Sequence, residues 1–210
     1  AAGERETVTI PTAILLDLAR SLPGQDLSLK SKTGAVTLAS GKFKASIQTL
    51  PVSDFPPLPV LSDTDDGTMI TREWLRFAIK AVRFAVAVDD PRLALNGALL
   101  QFGATETRLV ATNGHQMAIA DGPATTGTDA IIPRKTLDAL AGLLEEDGPD
   151  VSFSASGNHL VFRTGDYTLI SRRIDQAYPS WEKMALGDDL EAIHIDREPV
   201  LTSLRRAAMV

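Results

Sequence analysis

At 210 residues, 44% of them hydrophobic and none cysteine, the chain is long enough to bury more than one core, and it excludes disulfides, thiolate metal sites and a cysteine nucleophile. It has no apolar run of about eighteen residues, no charged-then-apolar leader and no lipidation signal, so no membrane partner is expected. A net charge of −6 argues by itself against nucleic acid, which Lys and Arg must neutralise, so the placing of the cations matters more than their total.

Residues 9–22 carry Ile14, Leu15, Leu18 and Leu22 at helical spacing, with Pro11 tolerated in the first turn, where its missing N–H would be unpaired anyway. Short alternating segments at 27–29, 35–39 and 42–50, separated by Thr33-Gly34 and Ser40-Gly41, predict a strand meander that the Pro-rich stretch 54–59 ends. Ser62 to Gly67, with three Asp and no apolar residue, reads as a surface connection. It is not a calcium loop: the glycine stands one place early and no glutamate closes it.

From residue 71 to 87, Leu75, Ala78, Ile79, Val82 and Val86 define a buried helical stripe. Arg72, Arg76, Lys80 and Arg83 recur along the same helix, with Glu73 the only acid there. Strands are predicted at 94–102 and 107–112, the second joined to a strand at 116–120 through Asn113-Gly114, a strong hairpin signal. Residues 129–133 lead into another helix, with Leu137, Leu140, Ala141 and Leu144 inward and Arg134 and Lys135 at its exposed start. Strands at 151–155, 159–163 and 167–174 follow.

The chain repeats itself. Ile10-Pro11 recurs as Ile132-Pro133, Gly41-Lys42-Phe43 as Gly165-Asp166-Tyr167, and Asp54-Phe55-Pro56 as Asp175 through Tyr178-Pro179, at offsets of about 122 to 124 residues. Thr71-Arg72-Glu73 recurs as Asp196-Arg197-Glu198 at an offset of about 125. So long a period makes the recurring unit a domain. The chain then reads as the second half of one domain (1–67), a whole domain (68–191) and the first helix of a third (192–210), a fragment of a longer protein. Helices that are apolar on one side must lie against sheets, which gives an α+β fold of repeated domains, each with two helices on antiparallel sheets.

No catalytic group is expected. His115, His159 and His194 are scattered, none at metal-ligand spacing, and neither a nucleophile elbow nor a phosphate loop is present. No cofactor or metal is implied. The cations carry the functional reading: if helices of successive domains line one surface, Arg72, Arg76, Lys80, Arg83, Arg134 and Lys135, with Arg197, Arg205 and Arg206 of the last helix, give an acidic protein a basic lining. Such a lining holds phosphates without reading bases. The competing readings are a protein-interaction scaffold with no DNA role, whose basic stripe is only solvated surface, and an enzyme on the same scaffold.

Several motifs then make a resemblance explicit: Thr49-Leu50-Pro51 through Asp54-Phe55-Pro56, Arg92 with Leu95-Asn96-Gly97, Ala111-Thr112-Asn113-Gly114-His115, Ile132-Pro133-Arg134-Lys135, and Asp175 through Tyr178-Pro179. In this order and spacing the whole chain resembles the bacterial sliding-clamp family, the beta subunits of DNA polymerase III. The resemblance implies three-domain subunits that close head to tail as a homodimer into a ring, helices inside and sheets outside. It implies a noncatalytic cytoplasmic, nucleoid-associated processivity factor that encircles duplex DNA, is loaded by a clamp loader and tethers the replicative polymerase. Arg72, Arg76, Lys80, Arg83, Arg134 and Lys135, with Arg20, Arg205 and Arg206 in the flanking domains, are the expected DNA-facing residues.

The resemblance also implies a pocket that takes a short peptide motif, a glutamine with apolar anchors, shared by other polymerases and repair proteins. Carried over, it uses Arg92, Leu95, Thr112, Gly114, His115, Gln116, Met117, Pro179, Lys183 and Met184. Met117 and Met184 suit a surface that repacks around different partners. Gln116 and Lys183 stand where several clamps have arginine, which predicts an altered polar contact to the peptide, and Asp89, Leu93 and Ala94 replace polar and aromatic residues that touch DNA in some relatives. The family's carboxyl-terminal tail forms the remaining wall, so the 210 residues alone are expected to bind peptide poorly and not to close a ring.

Overall fold

The structure, a computed structural model, describes residues 7–22, 26–32, 34–56, 67–184 and 193–209. Chain contacts divide it into two compact units, residues 1–63 and 64–210. The expected connection at Ser62 to Gly67 lies, except for Gly67, outside the described residues.

The first unit opens with α1 (Thr12–Ser21), followed by β1 (Ser28–Lys32), β2 (Ala35–Ser40) and β3 (Phe43–Gln48), paired antiparallel in that order. The meander follows from the sequence: Gly34 and Gly41 both adopt positive φ at the turns, and Val36, Leu38 and Ser40 alternate inward on β2. Pro11 stands just before α1, not in its first turn. The Thr9 hydroxyl accepts from the Leu50 N–H at 3.1 Å and donates to the Leu50 carbonyl at 2.5 Å, tying the two ends of the motif together.

In the second unit the order is β4 (Thr68–Ile70), α2 (Arg72–Val82), β5 (Gly97–Phe102), β6 (Glu106–Thr112) and β7 (Met117–Pro123). Then come β8 (Ala130–Pro133), α3 (Arg134–Leu143), β9 (Val151–Ser156), β10 (His159–Thr164), β11 (Tyr167–Arg172) and α4 (Arg197–Ala207). From β4 to β11 this is one βαβββ pattern written twice. The halves exchange their leading strands: β4 joins the sheet β11-β10-β9-β4, and β8 joins β7-β6-β5-β8. Each half therefore completes the other's sheet.

Both helices drain into one core. Leu75, Ala78, Ile79 and Val82 of α2 and Leu137 and Leu140 of α3 are fully buried, together with Leu144 just beyond α3, against Leu100, Leu109, Phe153, Leu160 and Phe162 of the two sheets. Phe153 joins the sheets by stacking on Phe102 at 5.8 Å between centroids and packing beside Phe162 at 5.0 Å. Such pairs add about 1 kcal/mol beyond their buried area.

Three elements differ from the sequence expectation. β4 is unforeseen, because three residues carry no readable alternation; its partners on β9 supply the signal, with Ile70 opposite Val151. The strand expected from residue 94 starts at Gly97, since Leu93–Asn96 form a 3-10 turn held by the Asn96 side chain, which accepts from the Asp90 N–H and donates to the Asp90 carbonyl. α2 stops at Val82 and tightens into a 3-10 turn over Arg83–Ala85. That takes Arg83 out of the α-helical register of the other three cations.

Candidate functional site

The cations expected on one helix face have different fates. Arg72 is half-buried and spends every donor on its own domain. Its Nε donates to the Glu146 carbonyl at 2.9 Å, one terminal nitrogen to the Pro149 carbonyl and the Thr164 hydroxyl, and the other to the Leu143 and Glu146 carbonyls at 2.8 and 2.7 Å. A guanidinium has about five N–H groups, so none is left for a phosphate. Its backbone N–H meets the Asp150 carboxylate at 2.9 Å, which caps α2 from a distant loop because Thr71 makes no side-chain cap. In this structure Arg72, expected among the DNA-facing cations, joins the start of α2 to the end of α3 and the turn into β9.

Arg83 forms an ion pair with Asp138 of α3 at 2.5 Å, and Arg134 donates to the Val86 carbonyl at 3.1 Å. Arg76 lies 4.0 Å from the exposed Asp147 carboxylate. Lys80 and Lys135 are exposed and have no ion-pair partner among the described residues. Lys80, Arg83 and Arg134 line one groove of about 410 Å3 between α2 and α3, with Phe84, Ile79, Ala141 and Glu145. Arg20 closes α1 in the first unit, and Arg205 and Arg206 sit in the last turn of α4, where cations complement the helix dipole. Arg197 at the start of α4 pairs with Glu198.

Of the peptide-site candidates, Arg92, Thr112, Gly114, His115, Gln116 and Met117 sit together at the hairpin between β6 and β7. The loop is Asn113–Gln116, longer than an Asn-Gly turn: Thr112 pairs with Met117, and the Asn113 carboxamide accepts from the His115 and Gln116 N–H groups at 2.9 Å. Gly114 has φ 89° and its open side faces the Arg92 guanidinium, so a Cβ there would stand 3.1 Å from that group. Gly114 thus answers both the turn and the close approach. Arg92 is held by both Asp90 oxygens at 2.9 Å, and its hydrogen bonds keep the Asp90 carboxyl down at about 2. The ion pair is intact above the ordinary carboxylate pKa of 3.8 and is lost only as pH falls from there through about 2.

His115, Gln116, Lys183 and Met184 are exposed, and Met117 and Pro179 are half-buried. Leu95 and Thr112 are only 2% and 5% exposed, so they act from beneath the surface. The Thr112 hydroxyl accepts from the Gly114 N–H and donates to the Gln116 carbonyl, which fixes the tip.

Sequence reasoning passed over two contacts that bring the segment after β11 to this hairpin. The Tyr178 hydroxyl accepts from the Thr112 N–H at 3.2 Å and donates to the Val110 carbonyl at 3.3 Å. Arg108 of β6, paired with Glu106 and Asp121, lies over the buried Trp181 ring at 5.3 Å. Burial raises the Tyr178 hydroxyl to about 12, and the Thr112 bond offsets this only in part. A raised pKa contributes stability that is complete below the unfolded value of 10.0 and lost as pH rises toward about 12. Alkaline unfolding curves should accordingly show an extra loss in that window that Tyr178→Phe abolishes.

Among the described residues no group of His, Asp or Glu converges as a metal site, and no helix is long and apolar enough to cross a membrane. A domain of two strand-exchanged βαβββ halves, with cations along its helices, is a DNA-clamp domain. Residues 69–180 match the family model of the DNA polymerase III beta subunit, central domain, and the chain belongs to that family.

It is 29% identical to the beta sliding clamp of Pseudomonas aeruginosa over 100% of this chain and 58% of that protein. The crystal structure of the C. crescentus beta sliding clamp superposes with a TM-score of 0.86 at 29% identity, covering 96% of this chain and 56% of that one. A P. aeruginosa sliding clamp bound to griselimycin gives 0.83 at 28% identity, covering 100% and 58%. The chain thus spans little more than half the length of the curated relatives it matches.

Proposed function

We propose that the chain is part of a noncatalytic processivity clamp that encircles duplex DNA and tethers the replicative polymerase. The observation that carries this is the outward pair of Arg76 and Lys80 on α2, a helix whose opposite stripe is fully buried in a clamp-family domain. Held loosely or not at all by their own domain, these cations remain available to phosphates, and sequence-independent Coulomb attraction is all that a sliding ring requires. Lys135 joins them, with Arg83 and Arg134 lending charge from scaffold positions; Arg20, Arg205 and Arg206 extend the lining in the flanking domains. The domains are 1–67, 68–191 and 192–210, and the parent closes as a head-to-tail homodimer, opened and loaded by an ATP-driven clamp loader in the bacterial cytoplasm on the nucleoid.

The same reading gives the hairpin tip its role: Arg92, Leu95, Thr112, Gly114, His115, Gln116, Met117, Pro179, Lys183 and Met184 take the short peptide motif of polymerases, the loader and repair proteins. The griselimycin-bound relative supports a ligand-taking site on this family. In the test, the full-length protein is loaded with clamp loader and ATP on nicked circular DNA, the circle is cut once, and retention is followed by gel filtration. Retention on circles with release on cutting is expected; equal retention on both forms would sink the ring mechanism and favour ordinary binding. No retention on either form would favour the interaction scaffold without a DNA role.

A further inference from the structure

We infer that Tyr178, together with the Arg108–Trp181 stack, positions the two sides of the peptide site against each other. This rests on the reading of that site given above and names residues outside it. The pairing of β5 with β6 ends at Leu99 opposite Val110, whereas β6 runs on beside β7 to Thr112 opposite Met117. Beyond Val110 the β5 side of β6 has no strand partner among the described residues, and there the Tyr178 hydroxyl accepts from the Thr112 N–H and donates to the Val110 carbonyl.

Tyr178 thereby fixes Thr112, whose hydroxyl organises the hairpin tip, and in the chain it directly precedes Pro179, a wall on the other side. Three residues further on, Trp181 opens the 3-10 turn Trp181–Lys183, which presents Lys183 and Met184. The Met184 N–H donates to the Trp181 carbonyl at 2.9 Å, so the place of the indole sets the place of Met184. Arg108 lies over that indole and is itself oriented by carboxylates on both sides, Glu106 on its own strand and Asp121 on β7. A planar guanidinium suits this stacked, doubly paired place, and a lysine ammonium does not.

One strand, β6, therefore holds both contacts: its far end grips Tyr178 and its middle grips Trp181. Pro179, Lys183 and Met184 stand at fixed spacing from His115 and Met117 because of it. A peptide that must touch both sides then binds a prepared surface and does not have to order one side as it binds.

The test uses the full-length protein and a fluorescein-labelled peptide carrying a glutamine and apolar anchors, with affinity read by anisotropy and the Thr112 amide read by hydrogen exchange. Tyr178→Phe should weaken the peptide about tenfold, because one side of the site must then be ordered as the peptide binds, and should speed exchange at Thr112. Arg108→Lys and Trp181→Ala should weaken it as well, while Trp181→Phe, which keeps an aromatic face under Arg108, should restore it. Unchanged affinity and unchanged Thr112 exchange in Tyr178→Phe would overturn the inference. If the unaltered protein fails to bind the peptide, the site reading fails, and faster Thr112 exchange in Tyr178→Phe still decides whether Tyr178 holds the strand end.

Discussion

Replacing Arg72 with alanine is expected to lower the stability of the second unit by about 3 kcal/mol and its melting temperature by roughly 10 °C. Four acceptors lose the guanidinium together: the carbonyls of Leu143, Glu146 and Pro149 and the Thr164 hydroxyl, two of these contacts partly buried, with Pro149 keeping its bond from Thr164. Thr164 is 6% exposed and keeps only its bond to Pro149, so water cannot fully replace what the guanidinium supplied. Lysine should not rescue the loss, because its ammonium has about three donors on one centre and cannot reach points that a planar fork spans. Urea and thermal unfolding of the variant beside Arg76→Ala would check this. Arg76, with one loose 4.0 Å contact to an exposed carboxylate, should change stability by less than about 0.5 kcal/mol. A shift for Arg72→Ala no larger than that for Arg76→Ala would show that the carbonyls resolvate freely.

Charge reversal should separate function from folding in the opposite sense. In the full-length protein, Arg76→Glu with Lys80→Glu is expected to leave the melting temperature within about 1 °C, since neither side chain is committed to the core. The loaded clamp should lose most of its stimulation of DNA synthesis, and the dependence of DNA retention on the logarithm of salt should flatten by about two units per subunit, one per lost phosphate contact. Retained stimulation with an unchanged salt slope would assign the α2 stripe to solvated surface. Reversing both Arg72 and Lys80 would not make this distinction, because the loss of Arg72 would also destabilise the domain.

The contrast between Arg72 and Lys80 explains how far the sequence reaches. Both belong to the same cationic stripe in the sequence, and they are eight positions apart on one helix. Nothing in residue type or spacing separates them, since the partners of Arg72 are mainly backbone carbonyls, and any residue supplies a carbonyl. Those partners lie 71 to 92 positions away along the chain. The same holds for Tyr178 and Thr112, 66 positions apart and joined through a main-chain N–H. Arg108 and Trp181 could have been suspected as a cation and an aromatic ring, but only the fold brings a mid-strand residue over a turn so far downstream.

What the sequence determined by itself is the periodic part. Buried stripes at helical spacing specified α2 and α3, alternation specified most of the strands, and recurring Ile-Pro, Gly and Tyr-Pro or Phe-Pro signatures specified a domain-scale repeat. These are local patterns, and burial of apolar side chains enforces them wherever the partner surface comes from. The tertiary structure decided which halves exchange leading strands, where the 3-10 turns interrupt a helix or delay a strand, and which cations are consumed as scaffold. The strand exchange and the fate of Arg72 depend on main-chain groups that are distant in the chain and whose directions exist only once the sheets are formed, whereas the turn before β5 is held by the nearby Asn96–Asp90 pair.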